Sequence, residues 1–181
     1  MTGLPLFETE RLLLREVVEE DIPAWRQHLT DDDIAGNLIR DGFFFHPEAV
    51  FALQGKSEWV WSIFLKSQPD TLIGVVHIRR EGNPSNRGFL LAKEHWGKGL
   101  ITEALAPVME YAFRTLNFNT MILGNALGNT RSRRVKEKDG AVFLRTEPAD
   151  FVNPAYKERE LWELTKERWE AVNAQKNATA C

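Results

Sequence analysis

The chain has 181 residues, of which 43% are hydrophobic and 27% charged, proportions that suit a water-soluble globular protein with room for a proper core. A net charge of −3 excludes a general attraction to nucleic acid or to an anionic membrane surface. The one cysteine, Cys181, leaves no intramolecular disulfide to form and fits a reducing compartment. Met1 to Arg15 carries Glu8, Glu10, Arg11 and Arg15 where a signal peptide needs an apolar core, and no apolar run approaches a membrane span. These features predict a cytoplasmic protein. With neither a low-complexity linker nor an internal repeat, one domain over residues 1–181 is expected, its core about 8–172.

In chain order, Arg11 to Val17 reads as a first strand, and Glu20-Asp21 as the cap of a short helix from Ile22 to Leu29 with Pro23 in its first turn. Asp31 to Gly42 is expected to be a loop, and Pro47 to Leu53 a second helix. Strands follow at Trp59–Leu65 and Thr71–Ile78, joined by a hairpin around Pro69-Asp70. Asn83-Pro84-Ser85-Asn86 signals a turn before the strand Gly88 to Ala92. Leu100, Ala104, Leu105, Val108, Tyr111 and Ala112 then recur at helical spacing, with Pro107 expected to bend that helix. Thr120–Gly124 is a strand and Asn129–Asp139 a helix closed by Gly140. Strands at Val142–Thr146 and Leu161–Thr165 and a helix from Glu167 to Val172 complete the order. Strands and helices so interleaved imply a mixed sheet flanked by helices.

Gly97-Lys98-Gly99 sits between the Gly88–Ala92 strand and the helix that starts near Leu100. A strand, glycine loop and helix start in succession aim free backbone N–H groups and the positive end of the helix dipole at one point, and glycine lets an anion approach the main chain. The loop reads as a pyrophosphate cradle, although a tight turn alone would also place glycines there. It lacks the G-x-x-x-x-G-K-[ST] string of a Walker loop, and Thr102 stands where a dinucleotide fingerprint needs its third glycine.

Glu8-Thr-Glu-Arg-Leu-Leu-Leu-Arg15, Trp96-Gly-Lys-Gly-Leu-Ile-Thr-Glu-Ala104, Asn129-Thr-Arg-Ser132 and Glu137-Lys-Asp-Gly140, in that order and spacing, resemble the GCN5-related N-acetyltransferase (GNAT) family, and within it the RimJ/RimL-type acetyltransferases of ribosomal-protein N-termini. The resemblance implies an α/β (α+β) fold in one domain, a mixed and mostly antiparallel sheet flanked by helices, with a splayed V between the fourth and fifth strands. It implies acetyl-coenzyme A as cosubstrate. Trp96, Gly97, Lys98, Gly99, Leu100, Ile101 and Thr102 would hold the pyrophosphate. The pantetheine arm would run along the exposed strand edge, where a main-chain N–H near Leu91 or Ala92 would polarise the thioester carbonyl. Asn129 would meet the pantetheine or only cap its helix. Ser132 would stabilise the departing thiolate or act as general acid, the other possibility being a bond to the carbonyl one turn back. Arg131, Arg133, Arg134, Lys136 and Lys138 read as a solvated basic face, from which Arg133 or Arg134 would otherwise reach the 3′-phosphate.

Glu94, the pair Asn86-Arg87 and Ala141 depart from the family pattern. Glu94 replaces an arginine or glutamine at the head of the phosphate motif, so backbone donors must carry the anion. Asn86 and Arg87 stand where a glutamate often precedes the strand glycine, and Ala141 where an aromatic residue is usual, so no general base carries over. A neutral α-amine costs about 1.4 kcal/mol at pH 7 and a neutral lysine about 4.6 kcal/mol, which favours an N-terminal α-amine as acceptor at a site lacking a base. Polyamine-like or aminoglycoside-like amines are the alternative, and a non-catalytic coenzyme A-binding module is the rival of a different class. Transfer is expected to be direct, through a ternary complex, Ser132 having no positioned base and Cys181 being terminal. Glu16, Glu19, Glu20, Asp21 and Asp31–Asp33 would draw a cationic acceptor if they line its entrance, and Phe43-Phe44-Phe45 is either core or a lid. His77, His95, Glu94 and Glu16 are read as structural or surface groups. His28 and His46 have no partner at metal-ligand spacing, so no metal is expected.

Overall fold

A computed structural model describes residues 3–82 and 85–180; Met1, Asn83 and Pro84 of the expected turn, and Cys181 lie outside the described residues. Among the described residues eight strands form two sheets. The first runs β1 (Phe7–Glu8), β2 (Leu12–Glu16), β3 (Glu58–Leu65), β4 (Gln68–Arg79) and β5 (Arg87–Leu91), each antiparallel to its neighbour. The second holds β6 (Thr120–Ala126), β7 (Val142–Pro148) and β8 (Glu158–Thr165) in the order β6-β8-β7, so that β6 and β7 run the same way around β8. The helices are α1 (Ile22–His28), α2 (Asp32–Ala35), α3 (Val50–Leu53), α4 (Leu100–Glu110), α5 (Thr130–Asp139) and α6 (Lys166–Thr179). No helix among the described residues is long and apolar enough to cross a membrane.

β3 is buried from Glu58 to Phe64 because both faces of its sheet are covered. Trp59, Trp61 and Ile63 pack with Leu100, Leu105, Val108 and Phe113 on the α4 side, whereas Val60 and Phe64 pack with Ile22, Trp25 and Val50 on the α1 side. Asp21 does not cap α1 with its side chain. Its buried carboxylate instead takes both Nη atoms of Arg15 at 2.7 and 2.8 Å and the Ser62 hydroxyl at 2.7 Å, tying the start of α1 to β2 and β3.

Several boundaries differ from the sequence reading. The hairpin turn is Lys66-Ser67, with Leu65 opposite Gln68, and Pro69 and Asp70 lie inside β4; the bulges at Ile63 to Leu65 absorb the altered register. The expected loop from Asp31 contains α2, because the Asp31 side chain accepts the Asp33 N–H as a cap. The Pro107 helix departs from α geometry only at Tyr111–Thr115, as a π turn. α6 extends to Thr179, opened by the Thr165 hydroxyl accepting from the Arg168 N–H.

Among the described residues the two sheets are hydrogen-bonded to each other at Asn86. The Asn86 N–H donates to Ile122 O, the Ile122 N–H donates to Asn86 Oδ1, both at 2.7 Å, and Asn86 Nδ2 donates back to Arg79 O and Arg80 O at 3.1 and 3.2 Å. Beyond that joint β5 and β6 form no ladder and diverge, which is the V expected between the fourth and fifth of the strands read from sequence. Asn86→Asp keeps the acceptor but loses both amide donors, and is expected to destabilise the fold by about 2–4 kcal/mol, read as a fall in urea midpoint at unchanged m-value.

Candidate active site

The diverging strands enclose a cleft of about 720 Å³. One wall is β5 and the start of α4, the other β6 and α5, and the stretch from Ile34 to Phe44 closes the side nearer α1 and α2. Of the residues singled out in the sequence, Leu91, Trp96, Gly97, Gly99, Leu100, Ile101, Thr102, Asn129 and Ser132 line this cleft. Ala92 and Lys98 do not.

The glycine loop has the backbone the sequence requires. Gly97 and Gly99 take φ values of 73° and 75°, and a Cβ at Gly97 would meet no protein atom within 4 Å, so the main chain there is open to a ligand. Gly99 leads into α4 with no side-chain cap, leaving the first-turn N–H groups of the helix to other partners. A bracket that sequence reading missed holds the loop in place. Glu103 accepts from the Thr9 hydroxyl at 2.5 Å and from the Arg11 N–H and Nε at 2.7 Å, while Arg11 Nη1 donates to Lys98 O at 3.0 Å. Burial tends to raise the Glu103 carboxyl pKa, and the hydrogen bonds from Thr9 and Arg11 outweigh it, so the net shift is downward.

Along β5 the antiparallel alternation decides which backbone groups face the cleft. The Ala92 N–H donates to Ile73 O at 2.7 Å, which commits it to β4 and removes it from the pair offered to a ligand carbonyl. Leu91, one residue out of phase, faces the cleft, and its carbonyl accepts the Trp96 indole N–H at 2.8 Å. Trp96 in turn lies under the Arg131 guanidinium, 3.9 Å from the ring centroid.

On α5 the Asn129 side chain accepts the Ser132 N–H at 3.2 Å, so Asn129 is the helix cap, and it also lines the cleft. Ser132 Oγ receives a hydrogen bond from Lys136 Nζ at 2.8 Å. The basic run is therefore not a uniform solvated face. Lys136 is only 2% exposed, Arg133 pairs with Glu137 and Glu160, and Arg131, Arg134 and Lys138 line the cleft. Burial and then the positive charge of Arg87 push the Lys136 ammonium well below its ordinary pKa, against the opposing pull of Asp139 and Glu160. Arg87 Nη1 pairs with Asp139 at 2.6 Å, and its Nη2 is buried with no hydrogen-bond partner among the described residues.

The side nearer α1 and α2 is mostly apolar. Phe44 is buried beside Trp25, and Phe43 lies on His77 with ring centroids 3.9 Å apart, so this aromatic run is wall and core. His77 lines the cleft with Nδ1 unpartnered, and a Cβ at Gly88 would collide with its Cε1. Glu16, Glu19, Glu20, Asp21 and Asp31–Asp33 do not line the cleft: Glu16 accepts the Leu4 N–H, Asp31 caps α2, and Asp33 pairs with Lys93. Among the described residues the one carboxylate on the lining is Asp41. Glu94 is exposed and off the cleft, and His95 lines it. No group of three His, Cys, Asp or Glu among the described residues is placed to hold a metal ion.

The acetyltransferase (GNAT) domain model matches residues 11–142, which include the glycine loop, both strands of the V and α5. The chain belongs to the GNAT acetyltransferase family. A relative in Bacillus subtilis (strain 168), named "Putative ribosomal N-acetyltransferase YdaF", is 32% identical over 156 residues, covering 84% of this chain and 70% of its own length. Mycobacterium smegmatis RimJ, solved in complex with CoA-disulfide, superposes with a TM-score of 0.75 at 18% identity over 96% of this chain and 94% of its own. The ribosomal-protein-S5-alanine acetyltransferase of Vibrio fischeri gives 0.73 at 19% identity, over 91% and 98%. At such identities the likeness of these two structures is one of fold.

Within this GNAT domain the sequence reading missed Glu103, Arg87 and Lys136. Lys136 was visible in principle, since it stands four residues after Ser132 and so shares its helix face. Glu103→Gln is expected to cost about 2 kcal/mol of stability and to loosen the glycine loop, measurable as faster amide exchange at Gly97 to Ile101. His77 gives a second expectation. Burial first, then Arg79, lowers its pKa from 6.5 to about 3, so the unfolded chain binds a proton that the fold refuses. The stability this group contributes is full above pH 6.5 and is lost as pH falls toward 3. Between about pH 6 and pH 5 the wild type should lose about 1 kcal/mol more than His77→Leu, and parallel stability curves for the two would refute this.

Proposed function

We propose that the chain transfers an acetyl group from acetyl-coenzyme A to a primary amine, most favourably the α-amine of a protein N-terminus such as that of a ribosomal protein. The observation that carries this reading is the cleft itself: an unpaired strand edge ending at a glycine loop whose N–H groups and helix dipole converge on its mouth. Those groups suit a pyrophosphate, and the β5 edge suits the amide-bearing pantetheine arm. The Leu91 N–H would polarise the thioester carbonyl, and Ser132 would donate to the sulfur as the C–S bond breaks. Arg134 on the cleft wall is better placed for the 3′-phosphate than Arg133, which is tied to Glu137 and Glu160. The CoA-disulfide complex of the similar RimJ fold supports the cosubstrate.

The preference for an α-amine rests on the cleft's chemistry. His77 stays neutral and is a weak base, and Asp41 is the lining carboxylate, so the site has little with which to deprotonate a lysine ammonium. An α-amine, about a tenth neutral at pH 7, needs no such help. The similarity to a named ribosomal N-acetyltransferase points the same way. Direct transfer in a ternary complex then leaves proximity and oxyanion stabilisation as the chief contributions of the protein.

Calorimetric titration with acetyl-coenzyme A tests the cosubstrate, and micromolar affinity is expected. Gly97→Val, strained at a positive φ where the wild type has open main chain, should weaken that affinity at least about tenfold. Peptides with free N-termini should release coenzyme A faster than the same peptides blocked at the N-terminus and carrying only lysine. No binding by the wild type would sink the reading, and equal rates for both peptide sets would sink the α-amine preference.

A further inference from the structure

Lys136 sits where a soluble protein rarely places a lysine: inside the wall of the cleft, 2% exposed, behind a serine that is itself partly open to the cleft. Its Nζ donates to Ser132 Oγ at 2.8 Å and to Ser132 O at 3.3 Å. A serine hydroxyl has one proton to give and two lone pairs to receive with. The acceptor usual for a helix serine, the carbonyl one turn back at Gly128, already receives the Thr130 N–H at 2.9 Å, and no hydrogen bond donated by Ser132 Oγ is found among the described residues. With an ammonium filling a lone pair of Oγ, the hydroxyl proton is directed to the open side, which is the cleft.

We propose that Lys136 is the positioning residue of the acyl-transfer step, orienting the Ser132 hydroxyl toward the thioester sulfur and resupplying its proton. The inference rests on the acetyl-coenzyme A reading above. As the C–S bond of the tetrahedral intermediate breaks, its electron pair goes to sulfur. Sulfur takes the Oγ proton, and Oγ takes one from Nζ. The proton shed by the attacking amine passes to solvent, from which Lys136 is recharged, so that thioester and amine become amide and thiol with nothing left over. Charged groups act on Nζ from three elements: Arg87 from β5, Asp139 from α5 and Glu160 from β8, with Arg133 from α5 and the amide of Asn125 from β6 on Glu160. Burial and Arg87 make the ammonium a stronger acid than a surface lysine. When Lys136 is replaced, Asp139 keeps Arg87 and Glu160 keeps Arg133, so an unbranched apolar side chain of similar length leaves neither carboxylate unpaired.

Lys136→Met separates the two roles. The variant is expected to keep the wild-type melting temperature or exceed it and to bind acetyl-coenzyme A within twofold, while kcat falls about a hundredfold. The selenoester analogue of acetyl-coenzyme A, whose selenolate leaves without needing a proton, should shrink that deficit to a few-fold. In a Ser132→Ala background the lysine substitution should add little further loss, since the two act in series. Equal deficits with both donors, additive losses, or a variant that turns over like the wild type would each overturn the proposal. A wild type that releases neither thiol from the thioester nor selenol from the selenoester would instead overturn the acyl-transfer reading, a separate and recognisable result.

Discussion

Holding two neighbouring strands apart is the constraint on which the molecule depends. A strand edge buried without partners is costly, so a sheet that opens into a V must be closed firmly at one end and supplied with other partners along the rest. Asn86 performs the closing. Its backbone N–H and side-chain oxygen imitate a strand pair with Ile122, and its amide nitrogen turns back to the carbonyls of Arg79 and Arg80. One side chain thus finishes the first sheet and starts the second. Everything beyond it, from Leu91 to Asn125, can face a ligand because the joint is made before the strands diverge.

The open end needs a different device. A glycine loop with positive φ at two positions is soft, and its N–H groups are presented in one direction only if the loop is held from outside. Here the aim comes from the other end of the sequence. Thr9 and Arg11 converge on Glu103 in the first turns of α4, and Arg11 also takes the Lys98 carbonyl. The N-terminal Glu-Thr-Glu-Arg segment is therefore architectural. It explains why that segment and the glycine loop occur together in one chain although almost a hundred residues separate them.

How much could be read beforehand follows from the range of each interaction. The glycine loop, the Asn129 cap, the Gly140 terminus and the order of strands are local matters of backbone preference and period, and they were legible. The turn at Lys66-Ser67 was misplaced because Pro69 and Asp70 are strong turn residues, while the bulged pairing with β3 extends β4 past them. Asp21 looked like a helix cap for the same reason, yet Arg15 and Ser62 compete successfully for its carboxylate. The acidic residues near α1 and α2 are candidates for the acceptor entrance by sequence, yet none lines the cleft, and Glu16, Asp21, Asp31 and Asp33 are spent on a backbone donor, an ion pair or a cap elsewhere. Such choices depend on distant partners, which no local pattern contains.

The least legible feature is the ionic group behind Ser132. Arg87 lies in a strand whose other residues are apolar or glycine, and Asp139 and Lys136 lie on a helix whose one apolar residue is Val135. Nothing in either segment announces that they meet. Brought together in a cleft wall, they set opposite demands: each charge loses solvation, and each depends on a neighbour to remain there. Arg87 is neutralised by Asp139 and Glu160 by Arg133, with Asn125 donating a hydrogen bond to Glu160, and Lys136 is left as the member least able to hold its proton. A site arranged in this way carries a mobile proton one hydrogen bond from the cleft, held in place by charges that do not themselves move.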